Sequence, residues 1–548
     1  MLAWACSDLF AQAPDRLARI KELFAQQRWE EIVREAEAAP ASSADLDYYY
    51  GSALAQLGRV EDARRVFLSG IHLQPNDKRF PIELGGVAFR RKRYAEAARW
   101  LRRAGQLDPS DSYVNEFLGT VYFVEGNLEA ALKYWNRIDK PLIEGLRQQQ
   151  GLRIDPALLD RAFAFSPASP LRLPDFLTSE TRLDGLGIFP SYKLELTARE
   201  QEKFDVVFRA RERNGWGDNK WEALLSVFRG VFYQTLYPEY YNLGGSAMNF
   251  TSLVRWDAQK RRIAFSLSAP LRHNPRQRYH LGFDLRDEDW AIRPSFRGPA
   301  ATLGSLNLEK EVIEGGITGF VSGRWNWSTG AEFSNRHYLK FAGPALSPEV
   351  LLQGYQLKHL AAVNYELWRL PERRLVIDSS LSSQVATIWS APAHTFEKLQ
   401  ASLSSTWFPL MRGDDYKLQQ QFRAGKTFGE SSFDELFMLG LERDNNLWLR
   451  AHIGTRDGRK GSAPLGRNYF LSNSEIDKNV FNNGLLGIKL SPFLDVGRIT
   501  GAQQLSSTKW LWDTGLQLKG SVLGVGVTLT YGKDLRSGNN AFYVTAFR

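Results

Sequence analysis

The chain has 548 residues, too many for one ordinary domain, and 43% of them are hydrophobic. It has no run of about 18 or more apolar residues, so a transmembrane helix is excluded, and its single cysteine, Cys6, excludes an intramolecular disulfide. The net charge of +9 is spread along the chain rather than gathered in a basic tract interleaved with aromatics, which argues against a nucleic-acid partner. A mean hydropathy of −0.35, 13% aromatics and 45 glycines still leave room for a membrane β-barrel, whose alternating strands average out to a soluble-looking composition.

At the start, Ala11-Gln12-Ala13 reads as a small-x-small cleavage site. The apolar run before it is short, broken by Asp8 and preceded by no Lys or Arg. Residues 1–15 are therefore expected to be the remnant of a signal peptide, and a lipid-bearing Cys6 is the weaker alternative because Trp4 fits a lipobox badly.

From Ala44 a period of 34 residues appears. Gly51, Ala63 and Pro75 recur as Gly85, Ala97 and Pro109, then as Gly119 and Ala131, with Phe67 answered by Trp135. Small residues at these places let two antiparallel helices approach, and the proline ends the second. The pattern resembles the tetratricopeptide repeat, with Leu17 to Glu37 as a degenerate capping pair, giving a repeat domain over 16–145. The resemblance implies a concave face for a protein partner carrying Asp45, Tyr48, Gln56, Arg79, Ile82, Arg90, Tyr113, Glu116 and Phe123. Taken singly, each of these reads better as a solvated helix position; taken together they read as a binding surface.

Residues 146–214 change texture. Asp155-Pro156 opens a helix through Phe165, Pro167, Pro170 and Pro174 interrupt, and a second helix runs through Leu183 to Gly187. Strands follow at Tyr192–Ala198 and Phe204–Arg211. From about Asn219 the reading is strand after strand with a period of two: Ile263, Phe265, Leu267 and Ala269 alternate with Ala264, Ser266 and Ser268, and Leu399, Ala401, Leu403 and Trp407 do the same. The stretches Arg272–Arg278 and Arg456–Gly461 read as long, charged outer loops. About 330 residues at roughly 20 per strand and loop gives about sixteen strands over 215–548.

Near the end of this region, Lys489, Ser491, Phe493, Asp495 and Gly497 share one strand face, opposite Ile488, Leu490, Pro492, Leu494 and Val496. A carboxylate facing a barrel lumen needs a cation, and Arg450 is the candidate. Here the chain resembles the outer-membrane proteins built from POTRA domains and a sixteen-stranded barrel, the superfamily of BamA, TamA and the two-partner-secretion transporters. Phe493, Asp495 and Gly497 match its Phe-x-Asp-x-Gly strand motif. Arg450 matches the Arg of its loop-tip Arg-Gly-aromatic motif, while Ala451 and His452 depart from it.

That resemblance implies a multidomain fold: an all-α repeat solenoid, a small α+β POTRA-like domain and a C-terminal antiparallel transmembrane barrel. Arg182-Leu183, Leu186-Gly187-Ile188-Phe189, Asp205-Val206-Val207 and Glu212-Arg213-Asn214 resemble the membrane-proximal POTRA domain, whose sheet edge would catch extended clients. It implies a lumen lock of Arg450, Phe493, Asp495 and Gly497. It also implies a seam between a strand near Trp221–Arg229 and the last strand, with Phe542, Tyr543 and Phe547.

The expected partners are outer-membrane lipid, unfolded or secreted polypeptides and a periplasmic protein on the repeats; the expected work is insertion or translocation of polypeptides. An exopolysaccharide or solute export pore with a repeat scaffold is the alternative, and a scaffold anchored by its barrel is a further one. No cofactor, metal or catalytic role is expected. Seven His include no His-Glu-x-x-His, Gly425-Lys426-Thr427 lacks the first glycine of a P-loop, and Asp434-Glu435 and Asp414-Asp415 read as rim charges on strands.

Overall fold

The computed structural model describes residues 13–38, 43–200, 203–217, 220–294, 301–344, 346–483, 486–522 and 525–547. Cys6 and the cleavage-like Ala11-Gln12 therefore lie outside the described residues, and the last three residues of the expected signal remnant open the first helix. The chain divides into two compact units, 1–142 and 143–548.

The first unit is four helical hairpins: α1 (Ala13–Ala25), α2 (Trp29–Ala38), α3 (Ala44–Gln56), α4 (Val60–Leu73), α5 (Arg79–Arg90), α6 (Tyr94–Leu107), α7 (Ser112–Glu125) and α8 (Leu128–Trp135). The repeat glycines serve one contact three times. A Cβ on Gly51 would lie 2.5 Å from the Phe67 ring, one on Gly85 2.7 Å from Leu101, and one on Gly119 2.2 Å from Trp135. Ala63, Ala97 and Ala131 are fully buried at the matching places. The spacing legible in the sequence is thus a spacing of close helix crossings. The Ser43 and Asp111 side chains accept from the Leu46 and Val114 amides and cap α3 and α7.

The second unit opens with strand β1 (Leu142–Gln148), which the sequence reading does not single out. It continues through α9 (Pro156–Ala162), α10 (Leu173–Leu186), β2 (Ser191–Ala198) and β3 (Lys203–Arg211). The three strands form one sheet in the order β1-β3-β2, with β3 central. This small domain is clamped to one end of the sheet that follows. Arg278 donates to the Leu186 and Gly185 carbonyls at the C-terminus of α10 (2.8 and 3.1 Å), a favourable place for a cation. The Gly323 amide donates to Thr178 Oγ1 (2.9 Å), and a Cβ on Gly185 would strike the Phe320 ring at 2.6 Å.

The rest is a closed antiparallel barrel. Its staves are β4 (Thr235–Leu236), β5 (Glu239–Leu243), β6 (Met248–Asp257), β7 (Lys260–Leu271), β8 (Asn274–Ile292), β9 (Gly304–Ser322), β10 (Trp325–Ala342), β11 (Gly354–Leu370), β12 (Leu375–Trp389), β13 (His394–Trp407) and β14 (Tyr416–Gly429). In an insertion over 430–467 the strands are two-residue pieces: β15 (Phe437–Met438), β16 (Thr455–Arg456), β17 (Arg459–Lys460) and β18 (Leu465–Gly466). Then come β19 (Asn468–Asn482), β20 (Leu486–Thr500), β21 (Ser507–Val522), β22 (Val525–Asp534) and β23 (Asn540–Phe547), with β14 pairing directly with β19.

The barrel sheet comprises eighteen described segments. Two of these, β16 and β17, belong to the insertion, and β4 and β5 both pair with β6 as one interrupted stave, leaving fifteen staves where sixteen are expected. The position before the first is taken by a helix, α11 (Lys220–Phe228). The expected seam strand at Trp221–Arg229 is therefore corrected. Trp221, Leu224, Leu225 and Phe228 are spaced for one face of a helix, and Glu222 and Ser226 are buried on another, so the period is 3.6 rather than 2.

The alternation of the staves is the one read from the sequence. Ile263, Phe265, Leu281, Leu381, Phe422 and Leu529 all point outward and are exposed, and aromatic neighbours such as Phe265 and Phe283 pack across strands on this outer face (5.1 Å). Among the described residues no helix is long and apolar enough to cross a membrane. An apolar belt carried right round a barrel calls for an apolar surrounding. Two loops differ from expectation. Arg272-His273 is a tight turn between β7 and β8, on the side of the α/β domain, where Arg161 donates to the His273 carbonyl (3.2 Å). Arg456–Gly461 is not an outer loop either; it forms the β16–β17 hairpin inside the insertion.

Candidate functional site: the loop inside the barrel

The insertion 430–467 packs into the barrel, and its apolar residues make cores there. The Phe433 ring meets Trp290 edge-on (5.1 Å), while Leu439, Leu447 and Leu449 pack with Tyr469, Leu471 and Ile499. Its charged residues hold it to the wall at three places.

The first is the lock expected from the sequence. On β20, Phe493, Asp495 and Gly497 share the inward face. Arg450 donates from Nε to Asp495 Oδ2 (2.9 Å), from Nη2 to Oδ1 (2.7 Å) and from its amide to Oδ2 (3.1 Å). The guanidinium lies 3.9 Å above the Phe493 ring, donates to Gln517 Oε1 (3.1 Å) and pairs with Glu475. Asp495 is fully buried and takes a further bond from Asn473 Nδ2 (2.7 Å). A Cβ on Gly497 would lie 3.1 Å from Leu439 and Leu449, so glycine there admits the loop. The structure brings Arg450, Phe493, Asp495 and Gly497 together.

The second place corrects the reading of Asp434-Glu435 as rim charges. Phe433–Glu435 is a turn of 3-10 helix rather than a strand, so the rule that neighbours face opposite ways does not apply. Both acids are buried. Asp434 accepts from Arg336 Nη1 (2.7 Å), Lys310 Nζ (2.8 Å) and the Tyr338 hydroxyl (2.7 Å). Glu435 accepts from Lys358 Nζ (3.0 Å) and Gln356 Nε2 (3.3 Å), with Lys398 Nζ 3.4 Å away. Asp414, by contrast, is exposed and pairs with Arg374, as expected of a rim charge.

The third place was not anticipated. Asp444 accepts from Arg255 Nη1 (2.9 Å), Arg262 Nη1 (2.5 Å) and Lys460 Nζ (3.1 Å), while Lys260 reaches Glu442 (3.5 Å). Strand alternation marks Arg255, Lys260 and Arg262 as inward residues, but nothing in the sequence says which loop residues reach them. The loop thus meets cations of β6–β13 with its acids and acids of β19–β22 with Arg450 and His452. His452 Nδ1 lies 3.0 Å from each carboxylate oxygen of Asp513.

The seam lies between β23 and the first stave. From β6 to β23 neighbouring staves share ladders of eight or more residue pairs, whereas β23 closes the barrel on β4, a strand of only two residues. Phe542 points outward and is 65% exposed, and Trp221 on α11 is 72% exposed. Tyr543 faces inward with Thr530 as its cross-strand neighbour. Phe547 ends β23, and its side chain lies outside the described residues.

On the repeats, the predicted face divides. Arg79 pairs with Asp45 and Asp77 (both 2.7 Å) and covers the Tyr48 ring at 4.8 Å, and Arg90 donates to the Ala55 carbonyl (3.1 Å). Phe123 leans on Trp135 (5.3 Å). Gln56 and Tyr113 remain exposed.

Residues 17–78 and 51–112 match the tetratricopeptide repeat family model. The helical unit is a tetratricopeptide-repeat array. No curated protein matches the chain by sequence. Among solved structures the chain is similar to BamA from Haemophilus ducreyi lacking POTRA domains 1-3 (11% identity, 74% of this chain and 84% of that one, TM-score 0.41). It is similar to CdiB from Escherichia coli (13% identity, 74% and 75%, TM-score 0.48) and to MamA from Desulfovibrio magneticus (23% identity, 23% and 72%, TM-score 0.22).

Proposed function

We propose that this chain is an outer-membrane protein that inserts or translocates polypeptides, with its repeat array and α/β domain in the periplasm. The observation that carries the reading is the seam. The barrel closes there on β4, a stave of only two residues, so the last strand has only a short ladder partner on that side, within an apolar belt where unpaired backbone groups are costly. A strand of another polypeptide is the natural mate for such an edge.

The α/β domain is read as a POTRA-like domain from its β-α-α-β-β order, and its edge strand β2 offers a second place for an extended client. The barrel is read as a variant of the sixteen-stranded type in which α11 stands for one strand. The repeat array would bring a periplasmic protein partner through Tyr113, Gln56 and their neighbours. The loop closes the lumen through its three ionic attachments until translocation or insertion begins. A polar cavity of about 830 Å³ beneath the loop tip, lined by Ser404, Gln421, Trp448 and Lys489 among others, gives the export-pore reading its one support.

The test is photocrosslinking in living cells from Phe542 and Trp221, with Leu381 on the far wall as control. Trapped nascent or secreted chains at the seam and none at Leu381 are expected. Equal labelling at all three positions would overturn the reading, and a large open-channel conductance of the purified protein would favour the export pore.

A further inference from the structure

The departure of Ala451-His452 from the loop-tip motif has a counterpart in the structure. His452 lies against the barrel's last hairpins, and Gly532 on β22 admits the loop there: a Cβ at that position would lie 3.1 Å from the Arg450 carbonyl oxygen. Two carboxylates face His452. Asp513 on β21 is fully buried; its Oδ2 accepts from the Ala451 amide (2.6 Å) and from His452 Nδ1. Asp534 ends β22 and is also buried, with Oδ2 3.8 Å from His452 Nε2, too far for a hydrogen bond.

Three observations point to a missing positive charge. The Arg450 guanidinium is engaged by Asp495 and Glu475. Two buried carboxylates therefore face at most one imidazolium, and uncompensated buried charge is unstable. The Asp513 Oδ1 atom is buried and accepts no hydrogen bond among the described residues, because His452 Nδ1, though 3.0 Å away, is spent on Oδ2. One ligand atom from each of His452, Asp513 and Asp534 lies within 4.8 Å of the other two.

We propose that His452, Asp513 and Asp534 form a binding site for a divalent cation of the zinc class. One imidazole nitrogen and two carboxylate oxygens are a donor set such a cation accepts, with water completing the shell. Bond lengths of about 2.0–2.2 Å ask these side chains to close in by roughly 1 Å. The cation would take up the orphaned Asp513 oxygen and close the gap to Asp534. Because His452 belongs to the loop and the two acids to the wall beside the seam, the cation would staple the loop tip to the last two hairpins.

The experiment uses the full chain in detergent micelles after chelator treatment. Zn²⁺ binding is followed by calorimetry, and Co²⁺ serves as an optical probe of ligand geometry. One equivalent per chain is expected, with binding weakened at least tenfold in His452→Ala and in Asp534→Asn but not in Asp414→Asn. Zn²⁺ should also slow trypsin cleavage at Arg456 and Arg459 in the wild type. Absence of saturable one-equivalent binding by the wild-type chain, which needs no variant to fold, would overturn the proposal. So would binding left unchanged by both His452→Ala and Asp534→Asn.

Discussion

Removing Arg450 should cost more stability than removing its partner. In Arg450→Ala, Asp495 loses both side-chain donors of the guanidinium and stays fully buried, retaining Asn473 and the residue-450 amide. A buried charge stripped of its partner costs about 3–5 kcal/mol, and this site belongs at the upper end. In Asp495→Ala the guanidinium keeps Glu475, Gln517 and the Phe493 face, so the loss belongs near or below the lower end. The double variant should be little worse than Arg450→Ala alone, giving a coupling of about 2–3 kcal/mol. Urea unfolding of the four proteins, followed by gel mobility of the folded and unfolded barrel, measures the cycle. Additive single losses, or a larger loss for Asp495→Ala, would refute the reasoning.

Asp434→Asn with Glu435→Gln leaves the fully buried Arg336 facing neutral groups, so the loop should loosen on the β9–β13 side; higher conductance in planar bilayers and faster proteolysis within 430–467 check this. Gly119→Ala drives a methyl into the Trp135 indole and should destabilise the repeat array by about 1–3 kcal/mol, read from its helical melting transition. Burial holds the Glu83 carboxyl above its ordinary range, despite the Arg90 guanidinium and a hydrogen bond from Tyr48. Its folded form binds the proton more tightly than the unfolded one. The stabilisation is therefore full below the unfolded value near about pH 4 and is lost as pH rises through the folded value. Glu83→Gln should flatten that part of the array's stability profile. Leu224→Pro should break α11, and crosslinking at residue 221 should fall if the helix positions that residue at the seam.

What the sequence made legible followed strict periodicities. The 34-residue spacing of Gly51, Gly85 and Gly119 is a spacing of helix crossings, and the two-residue alternation along β20 already put Phe493, Asp495 and Gly497 on one face. A lumenal carboxylate demands a cation, and it is the resemblance to the loop-tip motif that singles out Arg450 among the chain's 70 Lys and Arg. The failures have physical causes too. Lys220–Phe228 is short enough that four apolar residues fit either period, and only the burial of Glu222 and Ser226 shows which face is inward. Asp434 and Glu435 differ from the rim reading because the strand ends at Gly429 and a 3-10 turn, not strand alternation, aims both side chains. The Asp513, Asp534 and His452 cluster joins three elements separated by as many as 82 positions along the chain, and no local spacing encodes it.

Most of the charges that seat the loop are divided by wall, with Arg255, Lys260, Lys310, Arg336, Lys358 and Lys398 on one side of the bore and Asp495 and Asp513 on the other. Glu288 on β8, which holds the loop's Lys460, is the exception. Withdrawing the loop would bare both sets at once. The vacated passage would then carry an electric field directed across its axis rather than along it. Any polymer threading it would be turned so that its basic side chains lie toward β20 and β21 and its acidic ones toward β9–β13, and would cross the barrel in a fixed rotational setting.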